Sequence, residues 1–276
     1  MRHVDIVAEI GINHNGSIET ALEMIRVAKD AGCDYVKFQK RDPDLCVPIA
    51  QRDVMRDTPW GRMSYIDYKH KIEFGRDEYD KIDALCKDIG IGWFVSVWDE
   101  ASLAFAESYN PDIIKIPSAL NESYALIEKT FGIGKKLIIS TGMAGEQAIN
   151  KLTDVLVDDD RDIIFMHSVS SYPLEDENAE LSTIIELEGI GFAEVGYSDH
   201  TRGIHMAVAA VGMGATMIEK HITLDRTMWG TDQSASLEPQ GLKTMVRNIR
   251  AVCNGWGLGF LQVRDCEKEA IRRLKG

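Results

Sequence analysis

Eight short apolar runs recur along the 276 residues, each followed by an amphipathic stretch, and this rhythm constrains the fold more than any single motif. The runs are VDIVAEI (4–10), DYVKFQ (34–39), GWFVSV (92–97), DIIKIPS (112–118), KLIIST (136–141), DIIFMHSV (162–169), AEVGYSD (193–199) and TMIEKHIT (216–223). Helical spacing of apolar residues fills the intervals, near 17–32, 77–90, 99–109, 121–133, 144–157, 178–189 and 203–214, with a further helix near 238–253. Strands this apolar, alternating with helices, belong to a parallel sheet covered on both faces. Eight such units predict an α/β chain closed into a (β/α)8 TIM barrel. A doubly wound open sheet is the alternative, but it wants a G-x-G-x-x-G turn after the first strand, and here that turn reads GINHNGS.

No linker, low-complexity tract or short repeat interrupts the pattern, so residues 1–276 read as a single domain. Two stretches depart from it. Residues 41–76 form a connection far longer than the usual loop and carry Trp60, Tyr65, Tyr68 and Phe74, the mark of a packed lid rather than a floppy tail. Residues 265–275, DCEKEAIRRLK, read as a charged terminal helix packed outside the barrel. The net charge of −13 and the absence of a Lys/Arg cluster argue against nucleic acid and membrane surfaces as partners. No apolar run approaches membrane-spanning length, and the chain reads as cytoplasmic. Five widely spaced cysteines with no C-x-x-C pair read as free reduced thiols.

In a barrel of this kind the chemistry lies at the carboxyl ends of the strands. Those ends carry Glu9, Lys37 and Gln39, Ser96, Lys115 and Ser118, Ser140, Ser168 and Ser170 with Tyr172 just beyond, Ser198 and His200, and Glu219 and His221. Lys37 and Lys115 interrupt apolar runs, where an unpaired ammonium is expensive. Either they pair with Glu9 or Glu219, or they hold a phosphate or carboxylate alongside Ser118, Ser140, Ser170 and Ser198. A Schiff-base lysine is a third possibility. His200 and His221, at the tips of adjacent strands, suit one shared divalent metal, whereas His167 reads as packing. Glu9 is either a general acid/base or a partner for a lysine. Asp232, on the Gly-containing WGTDQSAS loop, is either part of the site or a turn residue.

The segments AEIGINHNGS (8–17), VKFQ (36–39), IKIPS (114–118), LIISTGM (137–143), SSYP (170–173), GYSDHTRGI (196–204), IEKHITLDR (218–226) and TDQSASLEP (231–239) together resemble the sialic acid synthase family, which includes N-acetylneuraminate, legionaminic and pseudaminic acid synthases. The resemblance runs from residue 8 to about residue 250, in family order. It implies condensation of phosphoenolpyruvate with an open-chain sugar aldehyde, of the N-acetylmannosamine kind, to a 2-keto-3-deoxy acid with loss of phosphate. It assigns Lys37, Lys115, Ser118, Ser140 and Ser198, with Ser170 at a further position, to phosphoenolpyruvate. It assigns His200 and His221 to Mn2+ (Mg2+ or Co2+ being alternatives), and Glu9, Gln39, Tyr172 and Asp232 to the sugar side and acid/base work. A homo-oligomer, a dimer, is the expected assembly. An octulosonate-type or phosphorylated-sugar synthase, and a non-catalytic binding barrel, are the competing functions.

Three departures from the family pattern stand out. Ser96-Val97-Trp98-Asp99 replaces S-T-P-F, and Ser118-Ala119-Leu120 replaces S-G-E or S-G-D. The chain is also expected to lack the family's C-terminal antifreeze-like domain. Residues 41–76, with Trp60 and Trp98, are therefore expected to cover the mouth.

Overall fold

Along each strand of the barrel, successive side chains face opposite ways and both ways are dry. In β1 (Asp5–Gly11), Ile6, Ala8 and Ile10 join the outer core under the helices, while Val7 points to the barrel axis. The computed structural model describes residues 2–133, 135–157, 162–190, 193–257 and 259–275. The further strands are β2 (Tyr35–Lys40), β3 (Met55–Thr58), β4 (Gly61–Ser64), β5 (Gly92–Val97), β6 (Ile113–Ile116), β7 (Lys136–Ser140), β8 (Ile163–His167), β9 (Glu194–Asp199) and β10 (Met217–His221). Eight of them close a parallel barrel in the order β1-β10-β9-β8-β7-β6-β5-β2, the TIM barrel that the rhythm of the sequence predicts.

The first helix shows how the intervals fold. Ala21, Met24, Ile25 and Ala28 form the buried stripe of Ile18–Ala31. The Ser17 hydroxyl caps its start by accepting from the Thr20 amide at 3.1 Å, and Gly32 ends it at φ 89. Burying Met24 and Ile25 stabilises the shell by roughly 1.5–3 kcal/mol each.

Inside the barrel, Val7, Phe94, Ile113, Ile138, Ile164, Met166 and Met217 form a plug, with Tyr35 against it. Gly196 makes room for this plug, since a Cβ there would stand 2.8 Å from Met166 Sδ. Two residues further along most of these strands the inward position turns polar: Glu9, Lys37, Ser96, Lys115, Ser140 and Glu219. The plug is thus the floor of a polar mouth. On the outward face, Lys220 and Asp199 form a fully buried ion pair at 2.8 Å, with the Thr201 hydroxyl donating to the second Asp199 oxygen at 2.7 Å.

Residues 41–76 are not one long loop. They hold short helices at Pro43–Cys46 and Ile49–Arg52, the antiparallel β3–β4 hairpin and the helix Tyr65–Ile72. The strands MRDT and GRMS are four residues long and mostly polar, which is why apolar periodicity does not find them. Aromatic contacts dock the insertion on the barrel: Phe74 stacks on His14 at 3.9 Å, and Tyr68 meets Trp229 edge-on at 5.2 Å. The terminal helix exists as Lys268–Leu274, but its residues are largely exposed instead of packed on the barrel, Leu274 at 74%.

Candidate active site

Four buried charges of opposite sign make the base of the mouth. Lys115 Nζ donates to both Glu219 oxygens at 2.9 and 2.8 Å. Lys37 Nζ lies 2.9 Å from Glu9 Oε2 and 3.6 Å from Glu219 Oε1, and donates to Ser96 Oγ at 3.0 Å. The Ser198 hydroxyl donates to Glu219 Oε1 at 3.1 Å, and Gln39 Nε2 donates to Glu9 Oε1 at 2.9 Å. Burial alone would raise the Glu219 carboxyl, but Lys115 and Lys37 pull it well below the usual carboxylate range. Burial also opposes the charge on Lys37, yet Glu219 and Glu9 hold its pKa above the ordinary lysine value. For Lys115, burial and the neighbouring Lys37 prevail over Glu219 and lower the pKa. Both lysines are therefore paired, and neither is presented as the free amine that a Schiff base needs. Lys115 spends two N–H groups on Glu219 and has a third to spare, while Lys37 donates to Ser96 and is ion-paired with Glu9 and Glu219.

Beside this layer lies a bowl of hydroxyls. Ser118 Oγ and Ser140 Oγ stand 3.3 and 3.2 Å from Ser168 Oγ. Ser170 Oγ is buried without a hydrogen-bond partner among the described residues. All of these but Ser140 converge on Gly142: a Cβ built there would meet Ser118 Oγ and Ser170 Oγ at 2.6 Å and Ser168 Oγ at 2.8 Å. The Asn121 amide fixes the turn by donating to the Ser140 and Gly142 carbonyls at 3.0 and 2.9 Å. Clustered hydroxyls with an unpaired member over a bare Cα suit an oxyanion.

On the opposite wall stand the two histidines, ring centroids 5.7 Å apart. His200 Nδ1 lies 2.7 Å from the Val169 carbonyl, a bond that fixes the N–H there and leaves Nε2 as an acceptor with only a long contact, 3.4 Å, to Ser198 Oγ. Burial, followed by His221, lowers its pKa to about 3, so His200 is neutral. His221 Nδ1 is buried without a hydrogen-bond partner among the described residues and lies 3.9 Å from Asp232 Oδ2. A weakly held imidazole nitrogen, an orphaned one and a carboxylate are a donor set that fits a divalent transition metal. His3, Asp5 and Asp34 also bring ligand atoms within 4.8 Å at the amino end of β1, but Arg250 already holds Asp34 Oδ2 at 2.6 Å. Tyr172 covers His200, its ring centroid 4.1 Å away.

A pocket of about 210 Å³ joins these parts, lined by Glu9, Lys37, Gln39, Lys115, Ser118, Ser140, Ser170, Tyr172, Ser198, His200 and His221 among others. Asp232 and Ser168 stand outside that lining; Asp232 reaches the site through His221, and Ser168 through its contacts with Ser118 and Ser140. A larger cavity of about 780 Å³ lies between the helices Glu146–Leu156 and Thr183–Glu188, but it lacks the charged layer, and chemistry outranks size here. His167 faces outward, 3.0 Å from the Ala179 carbonyl and stacked on Tyr197.

Ser96, Ser168 and Glu219 stand among the polar strand ends in the sequence without a ligand role assigned to them, and Gly142 has no side chain to flag it. The strand alternation was available for Ser168, which shares the inward parity of Ile164 and Met166. The departures at 97 and 120 also read differently in three dimensions. Val97 packs wholly into the outer core and Leu120 against it, so the missing Thr hydroxyl is not subtracted from the mouth. Trp98 lines the pocket, while Trp60 sits at the β3–β4 turn beneath Lys71 and outside that lining.

A parallel barrel with paired buried charges, clustered hydroxyls and two neighbouring histidines at its carboxyl end has the make-up of an enzyme site. Known proteins sharpen this class. The chain is 35% identical over 273 residues to N-acetylneuraminate-9-phosphate synthase of Mus musculus, covering 98% of this chain and 76% of that protein. It is 33% identical to N,N'-diacetyllegionaminic acid synthase of Campylobacter jejuni, covering 100% of this chain and 84% of that one. The crystal structure of N-acetylneuraminic acid synthetase from Leptospira borgpetersenii, in complex with citrate, superposes with a TM-score of 0.89 at 30% identity, covering 99% of this chain and 92% of that chain. The NeuB family pattern matches residues 24–259, and the chain belongs to the NeuB family of phosphoenolpyruvate-condensing sugar acid synthases.

Proposed function

We propose that the barrel joins phosphoenolpyruvate to an open-chain acylamino-sugar aldehyde, with the phosphate in the hydroxyl bowl and the aldehyde beneath Tyr172. The observation that carries this reading is the convergence of Ser118, Ser168 and Ser170 on Gly142, opposite His200 and His221 in one mouth. In the reaction the C3 electrons of the enol attack the aldehyde carbon, and the aldehyde oxygen takes up a proton. Water adds at C2 and loses a proton. The C2–O bond to phosphate then breaks as the new C2 hydroxyl passes its proton to the departing phosphate oxygen, leaving a 2-keto acid and inorganic phosphate.

Ser118, Ser140, Ser168 and Ser170 bind the phosphate through O–H donors, and the spare N–H of Lys115 adds a charge-assisted contact. Lys37 and Ser198 complete the phosphoenolpyruvate-holding set, while also pairing with Glu9 and Glu219 respectively. Glu9 and Gln39 orient the sugar hydroxyls, and Asp232 Oδ2, beside His221, accepts the proton released by water. Tyr172 excludes bulk water from the His200 side. A divalent cation held by His200 and His221, Mn2+ first and Mg2+ or Co2+ as alternatives, supplies Lewis-acid polarisation when bound. A cytoplasmic homodimer is the form in which this reading expects the enzyme to work.

The test is phosphate release from phosphoenolpyruvate with Mn2+ across a panel of hexoses, hexosamines and pentoses. Release only in the presence of an aldehyde supports condensation. No release with any member supports a binding barrel instead.

A further inference from the structure

The ladder between β9 and β10 stops one residue short of the two histidines. Its register sets Glu219 opposite Ser198 and ends with Lys220 opposite Asp199. His221 and His200 come next along the chain, beyond the last pair of that register. Each is tied instead to a different neighbour. His221 pairs with Glu9 of β1, and its carbonyl accepts from the Leu237 amide at 2.8 Å. The His200 carbonyl accepts from the Leu174 amide at 2.9 Å.

Side chains on the outward face carry the connection further. Lys220 Nζ donates to Asp199 Oδ2 at 2.8 Å and to the Thr201 carbonyl at 2.5 Å, so it reaches past His200 to the residue that follows. Asp199 Oδ1 accepts from the Thr201 amide at 2.9 Å and from its hydroxyl at 2.7 Å, closing a short turn with His200 in its middle. Lys220, Asp199 and Thr201 are all fully buried. A buried ion pair is a poor source of stability, because desolvation offsets most of the attraction and apolar residues of similar volume often do as well. What this one supplies is direction, since its hydrogen bonds weaken steeply if either strand slides or turns.

That direction is felt on the opposite face. Lys220 lies between Glu219 and His221, and Asp199 between Ser198 and His200, so fixing the outward pair fixes the inward residues on either side of it. Ser198 and Glu219 already have a direct hydrogen bond at 3.1 Å. The histidine rings, with centroids 5.7 Å apart, share no such bond among the described residues. Yet a metal tolerates donor distances only within about 0.2 Å. We propose that Asp199, Lys220 and Thr201 form a positioning clamp that sets the spacing of His200 and His221 for a divalent cation. This inference rests on the proposed metal site and deepens it.

The experiment titrates Mn2+ by electron paramagnetic resonance into the full chain and into Lys220→Met, Thr201→Val and Thr201→Ser. Ile82→Ala, in the outer core beside β5 and four strands from β9, controls for lost stability. Lys220→Met and Thr201→Val are expected to weaken Mn2+ binding by roughly 10- to 100-fold, as changes behind a liganding histidine do. Thr201→Ser keeps the hydroxyl and should bind as the wild type does. Should Lys220→Met fail to fold, Thr201→Val decides alone. Wild-type titrations in the folded variants, or equal weakening in Ile82→Ala, overturn the clamp. If the wild type itself binds no Mn2+, the metal reading fails. Nitrogen-15 spectra of the metal-free protein then read the clamp through the His200 Nδ1–H held by the Val169 carbonyl. Broadening of that resonance in Thr201→Val but not in Ile82→Ala supports the clamp, and an unchanged resonance overturns it.

Discussion

Replacing Gly142 by alanine tests the hydroxyl bowl with one methyl group. The new Cβ would stand 2.6 Å from two serine oxygens and 2.8 Å from a third, closer than such contacts occur. Something must move, and the cheapest movement is rotation of the serines to another staggered χ1 well. Gly142 is not among the residues at positive φ, so alanine adds no backbone strain. The fold therefore loses little, and reduced freedom of the unfolded chain offsets part of that loss. What disappears is convergence. If two hydroxyls turn away, and each is worth about 1.5–3 kcal/mol to a charged partner, the loss is roughly 3–6 kcal/mol of phosphate binding. That corresponds to a rise in KM for phosphoenolpyruvate of about 10²- to 10⁴-fold. Steady-state kinetics for both substrates, beside a thermal melt, reads the effect. A variant with wild-type melting and a phosphoenolpyruvate KM within a few-fold of normal would refute the bowl.

Two other substitutions probe the remaining parts of the mouth. Glu219→Gln leaves Lys115 without its carboxylate and should cost about 3–5 kcal/mol in urea unfolding, as for a broken buried pair. The Glu219 carboxyl is depressed in the folded state, so its contribution is complete above the ordinary value of 4.5 and lost as pH falls through the lower folded pKa. The stability gap between wild type and Glu219→Gln should accordingly narrow below that pH, and a constant gap would contradict the pairing. His221→Ala should abolish Mn2+ binding in an electron paramagnetic resonance titration while circular dichroism stays native. An unchanged titration would remove His221 from the metal site.

The legible part of this chain is set by alternation. Continuous apolar runs locate the eight barrel strands because both their outward residues, such as Ile6, Ala8 and Ile10, and inward ones such as Val7 are buried. Alternation of faces within those runs selects most of the mouth: Lys37 and Gln39 share a face, as do Glu219 and His221. Less legible is anything that depends on which neighbour a side chain meets across the barrel. Lys115 and Glu219 are 104 residues apart, and no local pattern says that both Glu219 oxygens are taken by one ammonium. Gly142 carries no side chain to read, and its importance exists only once three serines from the ends of two strands surround it. The hairpin within 41–76 is invisible for a different reason. Its stability comes from docking of neighbours such as Tyr68 on Trp229, not from any apolar face of its own.

The pairing of Glu9 and Glu219 with Lys37 and Lys115 has a consequence for how quickly the mouth fills. A layer whose charges cancel projects little field into solvent, and the chain around it carries −13. A polyanion such as phosphoenolpyruvate therefore approaches against the mean potential of the protein and is gripped only on arrival, by short-range donors. Salt shortens the reach of that repulsion to about 10 Å at 0.1 M. Association should thus quicken with moderate ionic strength, the reverse of an enzyme that steers its anion in.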